Sequence, residues 1–326
     1  MTLGPEWQAV LLFAFIVVLT ISAGARLIPF LAKRSLGQSA YEDAPQTHAV
    51  KSGTPTMGGL LFVLALLVVV VLHYAAIWVL ALAGLGLGCA AIGFVDDLIA
   101  IRGGRNRGLR ARVKLAATAV VAAAFLLFAW HAAGAGFGVL FVWPGREILI
   151  SQTVWFALGL VTIVATTHAV NLTDGLDGLA AGTVIPPLLV LTWIAWRTNS
   201  PPIVWVDLAI AAAVLGFLAF NRFPARLIMG DTGSLLLGGI LAGSAILLGA
   251  QLLLVLIGAV FVAEALSVIL QVASFKLTGK RIFRMSPLHH HFELGGWPET
   301  KVTYVFWGAS AACSALGAAL YAGVGR

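Results

Sequence analysis

This chain is poor in charge and nearly free of cysteine. Only 10% of its 326 residues are Asp, Glu, Lys or Arg, whereas soluble domains carry about 25%. That shortage excludes an ordinary soluble surface, because too few ionic groups exist to cover one. The two cysteines, Cys89 and Cys313, each sit inside an apolar run. They read as small hydrophobic helix residues, and a disulfide framework is excluded. Low-complexity tracts, long linkers and clear internal repeats are also missing, so residues 1–326 are taken as a single polytopic domain. What is present is apolar: 60% hydrophobic residues and a mean hydropathy of +1.01. By composition the chain is an all-α integral membrane protein.

Apolar stretches of about 20 residues reach across the hydrocarbon core as helices. Ten are expected, at roughly 8–30, 57–75, 77–95, 114–131, 152–170, 179–197, 203–220, 234–250, 252–274 and 302–324. Only "HYAA" (His73 to Ala76) parts the second from the third, and the eighth and ninth lie nearly as close. Residues 132–151, "AAGAGFGVLFVWPGREILIS", combine glycines, a Pro-Gly turn and short β-like runs, which predicts a small hairpin.

The net charge of +7 is not spread evenly. The loops after spans 1, 3, 7 and 9 hold Lys33, Arg34, Lys51, Arg102, Arg105, Arg107, Arg110, Arg112, Lys114, Arg222, Arg226, Lys276, Lys280, Arg281, Arg284 and Lys301, sixteen of the twenty basic residues. By the positive-inside rule that side is cytoplasmic, and both termini and the hairpin are periplasmic. The basic excess is thus topological and does not point to nucleic acid. The first seven residues carry Glu6 and no Lys or Arg, the wrong polarity for a cleaved signal peptide.

Because carboxylates are scarce, their positions are informative. Asp96 and Asp97 end span 3 in "GFVDD", Asp174 and Asp177 follow span 5 in "NLTDGLDG", and Asp231 follows span 7 in "MGDTGS". Any one group reads equally as a surface acid or a helix N-cap. Their gathering on one side, with histidines, calls for negative charge beside positive charge. Adjacent carboxylates repel, so the Asp96–Asp97 pair suits a divalent ion or a general base. Oxygen ligands beside a basic loop favour Mg²⁺ over zinc. If helical, Asn171, Asp174 and Asp177 form one polar stripe able to read a base or ribose edge. "KSGTPTMGG" (51–59) has the composition of an anion-holding loop at a helix start, and "RGGRNRGLRARVK" (102–114) suits lipid headgroups or phosphates. Glu264, inside span 9, is either a functional acid or a structural partner for Ser267 or Gln271, or it marks a helix break.

Together, "KSGTPTMGG", "GFVDD", "NLTDGLDGLA", "NRFPARLIMGDTGS" and "SVILQVASFKLTGKRIFRMSPLHHHFELGGWPE" resemble the phospho-N-acetylmuramoyl-pentapeptide transferases, from about residue 50 to 310 and in order. That family lies within the polyprenyl-phosphate N-acetylhexosamine-1-phosphate transferases. The resemblance implies transfer of phospho-MurNAc-pentapeptide from UDP to undecaprenyl phosphate, giving lipid I and UMP at the inner membrane. It also implies a Mg²⁺ requirement and a homodimer among membrane lipids. By position, Asp231 matches the magnesium aspartate, and Asp96 and Asp97 the essential pair. Lys51, Thr56, Asn171, Asp174, Gly175, Leu176, Asp177 and Asn221 match the uridine and substrate pocket, and Lys114 a lysine near the phosphates. One departure stands out. Ile228 occupies the position where the family usually has a phenylalanine stacking on uracil, and an aliphatic chain supplies burial without stacking. Phe223 is the neighbouring aromatic able to compensate.

The internal triplet His289, His290 and His291 admits four readings: metal site, phosphate grip, pH sensor or solvated loop. Adjacent side chains point in different directions, which argues against three ligands on one metal. Within the resemblance, the imidazoles bind pyrophosphate oxygens or orient an aspartate. Two rivals are a GlcNAc-1-phosphate transferase of the same superfamily and a transporter. Transporters commonly place ionisable groups near the membrane midplane between repeats, a pattern not found here.

Overall fold

Gly230, with φ +74°, turns the chain into the helix around which the others are arranged. In the computed structural model, which describes residues 4–33, 53–103, 108–133, 138–143 and 146–323, that helix is α8 (Gly230–Leu247). Nearly all of it is buried. It packs chiefly against α3 (Ile77–Arg102) and α5 (Gln152–Thr173). Between membrane helices, lipid is as apolar as leucine, so close backbone approach rather than burial drives association. The small residues of α8 serve that end: a Cβ at Gly239 or Gly243 would press on Cys89 or on Leu85 and Leu82 of α3.

The remaining helices are α1 (Pro5–Lys33), α2 (Leu60–Leu72), α4 (Ala111–Ala133), α6 (Leu179–Arg197), α7 (Pro201–Asn221), α9 (Gln251–Ile257), α10 (Ala259–Thr278), α11 (Leu288–Glu293) and α12 (Glu299–Ala322). α7 lies against α1, α2 and α6, and α12 against α6 and α9. Among the described residues, nine helices are long and apolar enough to cross a membrane. Two of the ten expected spans differ from expectation. The second is α2, only 13 residues, or about 20 Å of helix against a core of about 30 Å. The ninth is divided at Gly258, with α9 of seven residues before it and α10 of twenty after it. The break therefore falls six residues before Glu264, at a glycine with φ −96° and ψ 19°.

The hairpin is present as expected. β1 (Gly138–Trp143) pairs antiparallel with β2 (Arg146–Ile150), and Phe141 N–H donates to Gly249 O at 2.8 Å. Gly249 follows α8, so the hairpin lies at the end of the bundle opposite Asp231, in the first turn of that helix. Cys89 and Cys313 are both free.

Candidate active site

The ends of α3, α4 and α5 meet where α8 begins. α3 runs through Asp96 and Asp97 to Arg102 instead of stopping at the acids, so both side chains leave from a continuous helix. Asp97 reaches the start of α8. Its Oδ1 accepts from Asp231 N–H (3.0 Å), and its Oδ2 accepts from Thr232 N–H (3.0 Å) and the Thr232 hydroxyl (2.6 Å). The first amides of a helix lack internal partners, so Asp97 caps α8 from another helix. Gly230 makes this possible, since its φ is positive and a Cβ there would press on the Asp97 carboxylate.

Asp96, one residue earlier, faces another way. Its Oδ1 accepts from Leu109 N–H at 2.8 Å and lies 3.1 Å from Lys114 Nζ, at the start of α4. The Lys114 ammonium also pairs with Asp231 Oδ2. Asp231 Oδ1 accepts from Asn171 Nδ2 at 2.8 Å, and that amide nitrogen lies 2.9 Å from Ser234 Oγ. One connected cluster thus joins α3, α4, α5 and α8. Asp231 is its most accessible acid, with 22% of its side chain exposed.

The turn after α5 forms a second layer. α5 ends at Thr173, so the proposed stripe of Asn171, Asp174 and Asp177 does not form. The glycines at 175 and 178, the latter at φ +75°, end the helix before the spacing of three can act. Asp174 N–H bonds back to Asn171 O at 3.2 Å. Asp177 is buried: its Oδ2 accepts from Ala225 N–H (2.8 Å) and its N–H donates to Glu299 Oε1 (2.7 Å). Asn221 accepts from Gly178 N–H (3.1 Å) and donates to Leu227 O (3.0 Å). Leu176 is packed with Leu179, Val260, Val302 and Phe306. Asp177, Asn221 and Leu176 therefore fasten the 174–178 turn to its neighbours, while Asp174 and Gly175 remain partly exposed.

The loop before α2 joins the same site through its backbone. Ile228 N–H donates to Pro55 O and Gly58 N–H to Ile228 O, both at 2.8 Å, and Gly59 N–H to Met229 O at 2.9 Å. Thr56 is buried in this loop, Ile228 is half-buried and Phe223 is 51% exposed. Lys51 lies outside the described residues.

The three histidines separate. His289 is fully buried, with Nδ1 3.2 Å from Glu264 Oε2. His290 Nδ1 lies 2.8 Å from Glu293 Oε2, and His291 Nδ1 accepts from Arg284 N–H at 3.1 Å. They do not share one centre. Glu264 proves to be a partner of this segment and not of the side chains expected for it: Ser267 Oγ bonds its backbone oxygen, and the Gln271 amide binds residues 282 and 283. Thr232, Ser234 and Glu299 escaped sequence reasoning, because hydroxyls beside an acid and an acid at a helix start are common.

The cluster offers hard oxygen donors: Asp231 and Asp96 on the Lys114 ammonium, with Ser234 joined to Asp231 through the Asn171 amide. Among the described residues no three His, Cys, Asp or Glu side chains form a metal cage. Mg²⁺ typically takes one or two carboxylates and completes its shell with water and phosphate oxygens, so this donor set fits it.

A family model described as glycosyl transferase family 4 matches residues 77–249, and phospho-N-acetylmuramoyl-pentapeptide-transferase signature 1 matches residues 51–63. Curated proteins named phospho-N-acetylmuramoyl-pentapeptide-transferase are similar along almost their whole length. The one from Heliobacterium modesticaldum is 48% identical, covering 95% of this chain and 97% of the relative. That from Halalkalibacterium halodurans is 45% identical over 92% and 94%, and that from Geobacillus thermodenitrificans 42% over 96% and 98%. Whole-length similarity at this level, with the motifs assembled at one end of the bundle, shows that the chain belongs to the phospho-N-acetylmuramoyl-pentapeptide-transferase family.

Proposed function

We propose that this protein transfers phospho-MurNAc-pentapeptide from its UDP carrier to undecaprenyl phosphate, yielding lipid I and UMP. The observation that carries the reading is Lys114 held between Asp96 and Asp231 beside Asn171. Both substrates are anionic, so the main task is neutralising and aligning charge. A lipid-phosphate oxygen forms a bond to the β-phosphorus of the nucleotide sugar. The bond from that phosphorus to the bridging oxygen breaks, and UMP leaves with the electron pair.

The two neighbouring aspartates take unlike roles in this reading. Both Asp97 oxygens are occupied by the start of α8, so Asp97 positions Asp231. Among the described residues Asp96 is bonded only through Oδ1, and it is the better base for the lipid phosphate. Lys114 moves from carboxylate to phosphate oxygens as substrate enters. Asp231, with Asp96, would hold Mg²⁺, which when bound polarises the pyrophosphate and stabilises the charge on departing UMP. Asn171 orients Asp231, and Asp174 and Gly175 of the following turn face the nucleotide. His290 and His291 contribute donors from α11.

The placement of sixteen basic residues supports a cytoplasmic active site and periplasmic termini in the bacterial inner membrane. A homodimer completes the proposal, to be checked by light scattering in detergent. The deciding assay incubates the purified protein with undecaprenyl phosphate, Mg²⁺ and either UDP-MurNAc-pentapeptide or UDP-GlcNAc. UMP release with the first alone is expected, and release with UDP-GlcNAc alone would overturn the assignment.

A further inference from the structure

Glu264 is a carboxylate with none of its surface exposed, in the span α10. Burying such a charge costs several kcal/mol, of order, unless hydrogen bonds replace its water. Three donors of one short segment do so: Leu288 N–H at 2.8 Å, His289 N–H at 3.2 Å and the His289 ring through Nδ1 at 3.2 Å. The acid therefore caps the first turn of α11 and grips the first histidine at once.

The consequence lies on the far side of the ring. His289 Nε2 is buried and has no hydrogen-bond partner among the described residues. It rests on Gly175, where an added Cβ would overlap it. A buried polar atom left unsatisfied is rare enough to require an explanation. With Nδ1 held by Glu264, Nε2 is the polar atom the ring has left to offer, and the residue that screens it has no side chain. Gly175 belongs to the 174–178 turn, which is tied to Asn171 of the acid cluster and which the transferase reading assigns to the nucleotide.

We propose that Glu264 is a positioning residue, holding His289 by Nδ1–H so that the ring, with both nitrogens protonated, presents Nε2–H through the Gly175 turn to the phosphate oxygens of the nucleotide substrate. This rests on the transferase reading and assigns a role to an acid that the reading leaves idle. It also divides the histidine triplet: His289 is set by α10, whereas His290 and His291 are held within residues 284–293.

The test compares three near-isosteric variants by steady-state UMP release and by thermal unfolding in detergent. Glu264→Gln keeps the size of the side chain and loses the charge. His289→Asn keeps a donor at the level of Nδ1 and deletes Nε2, and His289→Gln keeps a donor at the level of Nε2. Losing one charge-assisted hydrogen bond to the substrate predicts a KM for the nucleotide sugar raised about tenfold or more in Glu264→Gln and His289→Asn. Their kcat should change far less, and His289→Gln should recover part of the affinity. Selective ¹⁵N-histidine spectra should show the Nδ1–H resonance bonded to carboxylate in the native protein and its loss in Glu264→Gln. If His289→Asn has the native KM, the pair serves only to dock α11 and the proposal fails. Absence of UMP release from the native protein would instead refute the transferase reading, so the two failures are distinct.

Discussion

Asp96 and Asp97 are neighbours in sequence with unlike surroundings, and that difference is testable. Asp97 satisfies two amides and a hydroxyl at the start of α8. Replacing it by Asn turns one acceptor into a donor facing donors, and each buried group left unsatisfied costs about 1–3 kcal/mol. Asp97→Asn should therefore lower the unfolding temperature in detergent clearly more than Asp96→Asn, and equal shifts would refute the capping role. Asp96→Asn should instead lower kcat with little loss of stability. For Asp231→Asn, turnover should fall by about 10²-fold or more, as when a charge-stabilising group is removed, while the protein stays folded. Retained activity would remove the metal assignment. The acids were legible in the sequence because so few exist in so apolar a chain. The split between the pair was not, because two adjacent residues of a helix point about 100° apart and only the neighbours decide what each meets.

At the scale of elements, glycine decides how close α8 and α2 can come. A Cβ on Gly59 would overlap the backbone of Gly233, whereas one on Gly84 would meet nothing within 4 Å. Gly59→Ala should thus lower both activity and unfolding temperature, because Asp231 lies in the displaced turn, and Gly84→Ala should leave both near native. Unfolding scans and UMP release on the same preparations check this. Helix existence was readable from apolar runs, as was the hairpin from its turn residues. Helix ends were less so. The stripe through Asn171, Asp174 and Asp177 assumed a period that Gly175 and Gly178 interrupt, and the ninth span divides at Gly258. A hydropathy pattern registers apolar length but not a local change of backbone dihedrals.

For the whole molecule, the hairpin and the acid cluster lie at opposite ends of α8, so labels at the two ends should report opposite sides of the membrane. In a cysteine-free background, Ile148→Cys should react with an impermeant maleimide on intact spheroplasts, and Arg284→Cys only after permeabilisation. Both positions are exposed. The reverse pattern would invert the topology. Composition alone made this a membrane protein, charge asymmetry gave its expected sidedness, and ordered motifs gave the resemblance, since these are properties of a linear string. Only the tertiary structure brought Asp96, Lys114, Asn171 and Asp231 into one cluster, set Asp97 to cap α8 and joined Glu264 to His289. Those contacts span up to 135 residues of chain, and hydrogen bonding depends on distances of a few ångströms that sequence separation does not encode.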